Sequence, residues 1–234
     1  MHMNFYSPYP QMTSDAARIP DDVNAKLFMR HSIRFENPPD GNYDALLLTQ
    51  EGIELAKKIG ESIDRPLGKC ASSTVKRCGQ TVEAITSGMR PDLKKGFAKE
   101  KVLRLAPFSS LVIDSAGGLT GIGWHEYFNA LQTGDTVTSR GVTVEQEAAS
   151  ILDGIFSVNG EPGTLDLLCS HDCHVVVLAS ALFNLKTGLD GHDWCRYTEG
   201  LFFYGTRDNF TALWRGEEKN FVNFPNSQKI KKND

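Results

Sequence analysis

Short apolar segments alternate along the sequence with longer segments of helical periodicity, and this alternation restricts the fold more than any other feature. The apolar segments cover residues 25–31, 68–73 and 164–170, and another lies within EKVLRLAPF at 100–108. Strands that alternate with helices favour a parallel sheet covered on both faces. We therefore expect an α/β protein, a three-layer α/β/α sandwich with a mostly parallel central sheet.

The helical segments are recognised by apolar residues that recur every three or four positions. Thr49 can serve as the N-cap of the first one. A segment at 174–183, HVVVLASALF, is apolar all round, which predicts a buried helix. Near the end, GLFFYG and FTALWRG predict a closing hairpin through 206–209. The periodic residues are Ile53, Ala56, Ile59 and Ile63, then Cys78, Val82, Ile85 and Met89, then Val144, Ala148, Ile151 and Ile155.

The remaining segments define the expected domain organisation. Residues 1–22, rich in Pro, Ser and Asp, predict an irregular N-terminal arm, and 23–226 a single domain. Between about 105 and 142 glycine becomes frequent and periodicity fades, which is typical of an insertion that forms a lid. Residues 227–234 predict a frayed tail.

Composition excludes several classes of function. The 234-residue chain has a net charge of −4, so no global basic field recruits nucleic acid. No apolar stretch approaches the ~20 residues that span a bilayer. The five cysteines are an odd number and favour free thiols over a disulfide framework. We expect a cytoplasmic protein that binds neither nucleic acid nor membrane; its oligomeric state is not predicted.

Cationic residues gather where the predicted strands end. The first strand ends in LFMRHSIR, which places Arg30, His31 and Arg34 within five residues. Three potentially cationic groups repel one another unless an anion lies among them. The second strand leads through SSTVKR to Arg77, and the strand at 164–170 leads to His171. Because the carboxyl ends of parallel strands share one edge of a sheet, these groups should surround a phosphate or phosphoryl group.

Four motifs, LFMRHSIR, LLLTQEG, SSTVKRCGQTVEA and SHDCHVVVLA, resemble those of the histidine phosphatase superfamily, which includes phosphoglycerate-mutase-like and acid-phosphatase-like enzymes. They occur in family order from residue 27 to about 180. The resemblance implies a nucleophilic His31 and a phosphate site made by Arg30, Arg34, Arg77 and His171.

The same resemblance implies the reaction. A neutral imidazole attacks phosphorus and forms a covalent phosphohistidine, which divides one difficult displacement into two easier ones. The acid-phosphatase branch takes its proton donor from a His-Asp pair, which points to Asp172. The mutase branch takes a glutamate from the middle of the chain; none lies between Val102 and Trp124, and Glu126 just beyond is the alternative donor.

Three residues depart from the family pattern. Ser32 replaces a common glycine, which keeps the backbone farther from phosphate but offers a hydroxyl donor. Thr74 replaces a common proline, with little expected effect. Glu36 replaces the proline of the acid-phosphatase branch, and it also offers Arg34 a surface ion-pair partner. His125, His174 and His192 are interpreted as structural or lid residues, and Trp124 with Tyr127 as part of a lid or of a packed corner.

Two other phosphate or metal chemistries fit less well. A cysteine-phosphatase loop needs five residues between its Cys and Arg, whereas six separate Cys70 from Arg77. The CSHDCH sequence offers zinc ligands but has no second ligand cluster. GLTGIG follows no strand and lacks the Lys-Ser or Lys-Thr of a nucleotide loop.

The sequence therefore predicts a phosphomonoester hydrolase that needs no metal or organic cofactor and acts on a small phosphorylated metabolite. A phosphomutase and a non-catalytic binder of phosphorylated ligands are the alternatives. Sugar phosphates, phosphoamino acids, nucleotides and inositol phosphates stay open as substrates. The scarcity of Lys and Arg in the insertion argues against multiply phosphorylated ones.

Overall fold

In the computed structural model, which describes residues 10–37, 43–188 and 193–227, seven strands form one sheet in the order β3-β2-β4-β1-β5-β6-β7. The strands are β1 Ala25–Arg30, β2 Leu67–Ser72, β3 Leu103–Arg104, β4 Leu165–Ser170, β5 Gly200–Thr206, β6 Asn209–Trp214 and β7 Glu217–Val222. The helices are α1 Pro10–Ala16, α2 Gln50–Ser62, α3 Lys76–Gly88, α4 Val112–Ser115, α5 Trp124–Thr133, α6 Val144–Ser157 and α7 Asp172–Phe183.

Two hydrophobic clusters on opposite faces of the sheet make three layers. Along β1, Leu27 and Met29 point into the cluster that contains the apolar sides of α2 and α3, whereas Phe28 points into the cluster that contains α6 and α7. This alternation is the period-two geometry of a strand. The predicted α/β/α sandwich is confirmed.

The sheet is only half parallel, which corrects the expectation of a mostly parallel sheet. β3, β2, β4 and β1 pair in parallel, whereas β5, β6 and β7 add antiparallel pairs beyond β1. Short turns join β5, β6 and β7, and such turns permit only antiparallel neighbours. The predicted hairpin of β5 and β6 is confirmed, but β7 was not predicted. It is an edge strand with mostly exposed residues, so apolar alternation does not reveal it.

The N-terminal region contains α1, so the prediction of an irregular arm was wrong for residues 10–16. Met12 on this helix is buried in the cluster beside α2, and Asp15 accepts a hydrogen bond from the backbone of Gly216. These contacts with distant residues stabilise a helix too short to be stable alone. Residues 1–9 and 228–234 of the predicted arm and tail lie outside the described residues, as does His192.

The helix predicted after Thr49 is α2, and the N-cap is confirmed. Thr49 Oγ1 accepts a hydrogen bond of 3.1 Å from Gly52 N. A Cβ on Gly52 would collide with the carbonyl of Ile33, so this glycine lets α2 lie against the loop that follows β1. The predicted insertion contains α4 and α5. Among the described residues, no helix has both the length and the apolar character to cross a membrane.

Candidate active site

Three strand ends lie side by side because β4 is paired with β2 on one side and with β1 on the other. His31 N donates to Ser170 O at 2.9 Å, and Ser73 N donates to Cys169 O at 2.9 Å. The sheet pairing therefore continues one residue beyond each strand. This places His31, Ser73 and His171 around a common point, as the sequence predicted for carboxyl ends of parallel strands.

His31 is held in one tautomer. Its Nδ1 lies 2.7 Å from the carbonyl oxygen of Ser32, which can only accept, so Nδ1 carries the proton. The other ring nitrogen, Nε2, accepts a hydrogen bond of 3.0 Å from Arg77 Nε. The lone pair of Nε2 is thus directed toward the cationic side of the site, which is the state that a nucleophilic imidazole requires.

The surroundings of His31 favour its neutral form. The side chain is only 3% exposed, and burial together with the positive charges of Arg30 and Arg77 lowers its pKa to about 3. A phosphoryl dianion placed among the same arginines would reduce this effect. Until such a group binds, His31 stays unprotonated at neutral pH.

Arg77 joins the two histidines. Besides its bond to His31, its second terminal nitrogen lies 3.3 Å from His171 Nδ1, and its first donates to the carbonyl of Tyr43 at 2.6 Å. The residue is buried in the first turn of α3. A guanidinium fixed at three points is pre-organised to bind phosphate oxygens, because its orientation is already set.

His171 is fixed by the loop after β2. Since Arg77 donates to its Nδ1, its Nε2 carries the proton and donates to Ser73 Oγ at 3.0 Å. Burial lowers the pKa of His171 as well. The Ser73 hydroxyl also lies 3.1 Å from Ser109 Oγ, which in turn accepts from Thr74 N at 2.9 Å. These hydroxyls connect the predicted lid to the loop after β2.

Arg30 and Asp172 form an ion pair, with Arg30 Nη2 at 3.0 Å from Asp172 Oδ2. Burial opposes ionisation of Asp172, but the charge of Arg30 and a hydrogen bond from Trp194 outweigh it and hold the pKa of the carboxyl below its usual range. Arg30 also donates to Cys195 O at 2.7 Å, and its guanidinium lies 4.1 Å from the ring centroid of Tyr197. Its Nε is buried and has no hydrogen-bond partner among the described residues.

A cavity of about 680 Å³ opens beside these groups, within the range of small-molecule sites. Arg34, Arg77, His171 and Asp172 line it. Arg34 donates to the carbonyl of Phe35 at 2.7 Å, and in the described part of the chain it forms no ion pair with Glu36. The cavity thus has cationic groups at the strand ends, where the sequence predicted a phosphate site.

The residues predicted for a lid or a packed corner differ in whether they reach the cavity. Trp124, His125 and His174 line the cavity, whereas Tyr127 is buried and donates its hydroxyl to Glu147 Oε1 at 2.5 Å. Trp124 therefore faces the cavity, whereas Tyr127 belongs to a packed corner.

Glu126 is exposed and is not among the residues that line the cavity. Its carboxylate lies 3.5 Å from Gly123 N at the start of α5. In this arrangement Asp172 is better placed than Glu126 to reach a bound substrate.

Ser32 does not offer its hydroxyl to the cavity, which corrects the expectation of a phosphate donor at this position. The residue is buried, its Oγ donates to Gly52 O at 2.6 Å, and its backbone N donates to Thr81 Oγ1 at 3.0 Å. Because the Ser32 carbonyl accepts from His31, these bonds to α2 and α3 hold the His31 ring in place. Thr74 does line the cavity.

Sequence reasoning missed the residues that orient the predicted groups. Ser73 precedes Arg77 in the third motif but received no role, although its position after a strand was a usable signal. Tyr43, Ser109 and Tyr197 come from loops with no periodicity, and nothing in the sequence indicated their contacts. Among the described residues, no cluster of His, Cys, Asp and Glu has the arrangement of a metal site.

The chain has the fold of several solved structures, although no protein-family model and no curated protein sequence matches it. A phosphoglycerate mutase from Bacillus anthracis strain Sterne is 14% identical with a TM-score of 0.50; the match covers 91% of this chain and 98% of that one. A mycobacterial glucosyl-3-phosphoglycerate phosphatase is 14% identical with a TM-score of 0.52, covering 87% and 100%. The chain therefore shares its fold with these two enzymes.

Proposed function

We propose that this protein is a phosphomonoester hydrolase that acts through a phosphohistidine formed on His31. The observation that carries the proposal is the directed lone pair of His31 Nε2, held 3.0 Å from Nε of Arg77, a residue that lines the cavity. A neutral imidazole beside fixed guanidinium groups is suited to attack a phosphoryl dianion, because the guanidinium groups neutralise the charge of its oxygens. The fold, shared with a known phosphatase, supports this assignment.

Binding begins with an exchange of partners. The phosphoryl oxygens take over the donors of Arg77 that now contact His31 and His171, and they engage the unpartnered Nε of Arg30 and the guanidinium of Arg34. Charge neutralisation by these groups lets the lone pair of His31 Nε2 approach phosphorus. The new P–N bond forms as the ester P–O bond breaks.

Asp172 is the proposed proton donor to the leaving oxygen. Its pKa is low while Arg30 is its partner, so it cannot donate a proton in that state. When the phosphoryl dianion binds Arg30, the positive charge near Asp172 is compensated and its pKa rises. In the second step the carboxylate accepts a proton from water as the water oxygen attacks phosphorus and the P–N bond breaks.

The nucleophile is tested by trapping the intermediate. The wild-type protein, mixed rapidly with radiolabelled p-nitrophenyl phosphate in EDTA and quenched in base, should carry an acid-labile phosphoryl group. His31→Gln keeps an acceptor for Arg77 but cannot be phosphorylated, and it should lose label and at least about 1,000-fold in kcat. Equal labelling or equal turnover of the two proteins would refute the assignment. Turnover abolished by EDTA would refute metal independence.

The proton donor is tested by varying the leaving group. Asp172→Asn should slow hydrolysis of an alkyl phosphate by about 100-fold or more, because the alkoxide needs a proton. It should slow p-nitrophenyl phosphate much less, since p-nitrophenolate leaves unprotonated. Glu126→Gln is the matched control and should change the hydrolysis rates of the two substrates by the same factor. An effect of Asp172→Asn that is independent of the leaving group would exclude it as the donor.

Assays with 2- and 3-phosphoglycerate separate the hydrolase from its alternatives. We expect phosphate release without interconversion of the isomers. Interconversion would identify a mutase. Phosphate binding without turnover of any ester would identify a binding protein.

A further inference from the structure

Three of the residues that line the cavity form an aromatic shelf, defined here as Trp124, His125 and Trp194. Trp124 is 46% exposed and stacks on the buried Phe128, with ring centroids 6.0 Å apart and an interplanar angle of 20°. Trp194 packs edge-on against Phe128 at 5.2 Å, and His125 packs edge-on against Trp194 at 4.7 Å. These ring contacts connect the three side chains to the buried Phe128, and all three line the cavity.

Acidic side chains also line the cavity. They are Asp44, whose charge acts on Arg77, and Asp114. Asp114 is oriented by a hydrogen bond of 2.8 Å from Leu111 N to its Oδ2, and its Oδ1 has no partner among the described residues. Ionised carboxylates can only accept hydrogen bonds. A group bound here must therefore supply donors.

The charged residues of the cavity also disfavour a leaving group that is itself anionic. Of the described residues that line the cavity, the arginines are Arg34 and Arg77, and both belong to the proposed phosphoryl site. No other lysine or arginine in the described lining is available for a second anion, and Asp44 and Asp114 would repel one. A substrate with a carboxylate or a second phosphate on its leaving group is disfavoured.

We infer that the substrate is a sugar monophosphate whose neutral, hydroxyl-rich ring lies on the aromatic shelf and donates to Asp44 and Asp114; this inference rests on the proposed function. A sugar ring has apolar C–H faces that pack on indole and hydroxyls that donate to carboxylates. The cavity volume of about 680 Å³ accommodates such a ring together with its phosphate. A quaternary ammonium leaving group also packs on aromatic faces and is attracted by the two carboxylates, but it donates no hydrogen bond to the free Oδ1 of Asp114, and phosphocholine tests this difference.

Phosphate release from a panel of esters tests the substrate class. We expect kcat/KM for glucose 6-phosphate or galactose 1-phosphate to exceed that for phosphoserine, 3-phosphoglycerate, fructose 1,6-bisphosphate and phosphocholine by about tenfold or more. Equal or better turnover of any of those four would overturn the inference. If p-nitrophenyl phosphate is hydrolysed while sugar phosphates are not favoured, the proposed function survives without it. If no ester is hydrolysed, both fail.

Variants of the shelf and the carboxylate test the geometry. Trp124→Ala and Asp114→Asn should each lower the ratio of kcat/KM for the sugar phosphate to that for phosphoserine by about fivefold to tenfold. Asp114→Asn should lower the ratio partly by raising kcat/KM for phosphoserine, because the variant no longer repels the carboxylate of phosphoserine. Asp22→Asn, an exposed residue outside the cavity, is the matched control and should change neither value. An unchanged ratio in both cavity variants would overturn the inference.

Binding measurements on His31→Gln give an answer that does not need turnover. Calorimetry should show tighter binding of glucose 6-phosphate than of inorganic phosphate, and Trp124→Ala in the same background should abolish the difference. Equal affinity for the two ligands in His31→Gln would show that the ring contributes nothing and would contradict the assignment.

Discussion

The two ends of one strand pair, β1 and β4, each bury charged side chains, but they use them differently. At the amino ends, Lys26 and Asp166 are direct partners in the sheet register. At the carboxyl ends, Arg30 is opposite Ser170, and His31 and His171 follow. The two clusters are only four residues apart along β1, so the difference between them does not come from the sheet itself.

The amino-end cluster is saturated with hydrogen bonds. Lys26 Nζ donates to Asp166 Oδ2 at 3.0 Å, to Asn24 Oδ1 at 2.8 Å and to the carbonyl of Val158. Asp166 Oδ1 accepts from Lys69 N at 2.6 Å, and the two side chains are 1% and 0% exposed. Every donor of the ammonium has a protein partner, so no ligand could improve on the arrangement.

The carboxyl-end cluster is left incomplete. Arg30 Nε has no partner among the described residues, and Arg77 donates to two imidazoles, which are weaker acceptors than a phosphate dianion. The cluster opens into a cavity, unlike the Lys26 pair. A buried charged group therefore indicates a functional site when some of its hydrogen-bond donors lack protein partners, and a structural element when all of them have partners.

Breaking the saturated cluster should have the largest effect on stability. Lys26→Ala leaves Asp166 buried without its counter-charge, so we expect the free energy of unfolding to fall by about 3–5 kcal/mol in urea titrations. The kcat of the remaining folded protein should be unchanged. The double variant Lys26→Met with Asp166→Leu should recover much of the stability. A large loss of kcat in folded Lys26→Ala would show that the two clusters are coupled.

Changing the carboxyl-end cluster should have a large effect on activity and a smaller effect on stability. Arg77→Lys keeps the charge but loses the planar fork that contacts His31 and His171, so kcat/KM should fall by about 100-fold to 1,000-fold. The unfolding free energy should fall by less than the roughly 3–5 kcal/mol expected for Lys26→Ala, because the lysine keeps the buried positive charge. Arg90→Lys on the surface is the control. A stability loss as large as that of Lys26→Ala would contradict the distinction between the clusters.

The carboxyl-end cluster should also make the protein sensitive to acid. The pKa of His31 is lowered to about 3 and that of His174 to about 4, in both cases first by burial. Below pH 6.5 these two histidines bind protons in the unfolded chain but stay neutral in the folded protein, so the free energy of unfolding falls as the pH falls. At pH 5 the loss should be about 2 kcal/mol for each of these histidines.

Urea unfolding at pH 7.5 and pH 5.0 measures this loss of stability. His174→Gln should make the loss smaller by about 2 kcal/mol, the contribution of one histidine. Asp172 does not contribute to this loss, since its lowered pKa keeps it ionised at both pH values. Stability that is independent of pH between these values would contradict the neutral state of the histidines.

The smallest effect should come from a residue that supports the cluster from outside. Arg104 donates to Ser72 Oγ at 2.5 Å and to Ser73 O at 3.1 Å, and it lies against Gly79, where a Cβ would collide with its guanidinium. Arg104→Ala should loosen Ser73 and lower kcat by about tenfold or less, with KM unchanged. Arg104→Lys should restore part of the loss. An effect on KM alone would place Arg104 in substrate binding instead.

Much of this site could be predicted because strand ends are visible in sequence. The apolar runs before Arg30 and His171 and the helical periodicity after Arg77 placed these residues at one edge of a parallel sheet. The N-cap at Thr49 was visible for a similar reason, since capping depends on residues three positions apart. Local patterns of this kind persist whatever the rest of the chain does.

The residues that complete the site could not be predicted, because their roles depend on contacts between remote segments. Ser32 directs its hydroxyl to Gly52, away from the expected ligand, because α2 lies against that loop. Tyr43 and Tyr197 reach Arg77 and Arg30 from loops without periodicity.

The sequence by itself determined which residues stand at the ends of the strands and which segments form the main helices, because these depend on neighbours along the chain. Only the tertiary structure decided that β4 lies between β1 and β2, that the C-terminal strands run antiparallel, and that Lys26 is saturated while Arg30 is not. A buried polar atom finds its partner in space, and the two can be far apart along the chain: Arg30 and Cys195 are separated by 165 residues, and Asp15 and Gly216 by 201.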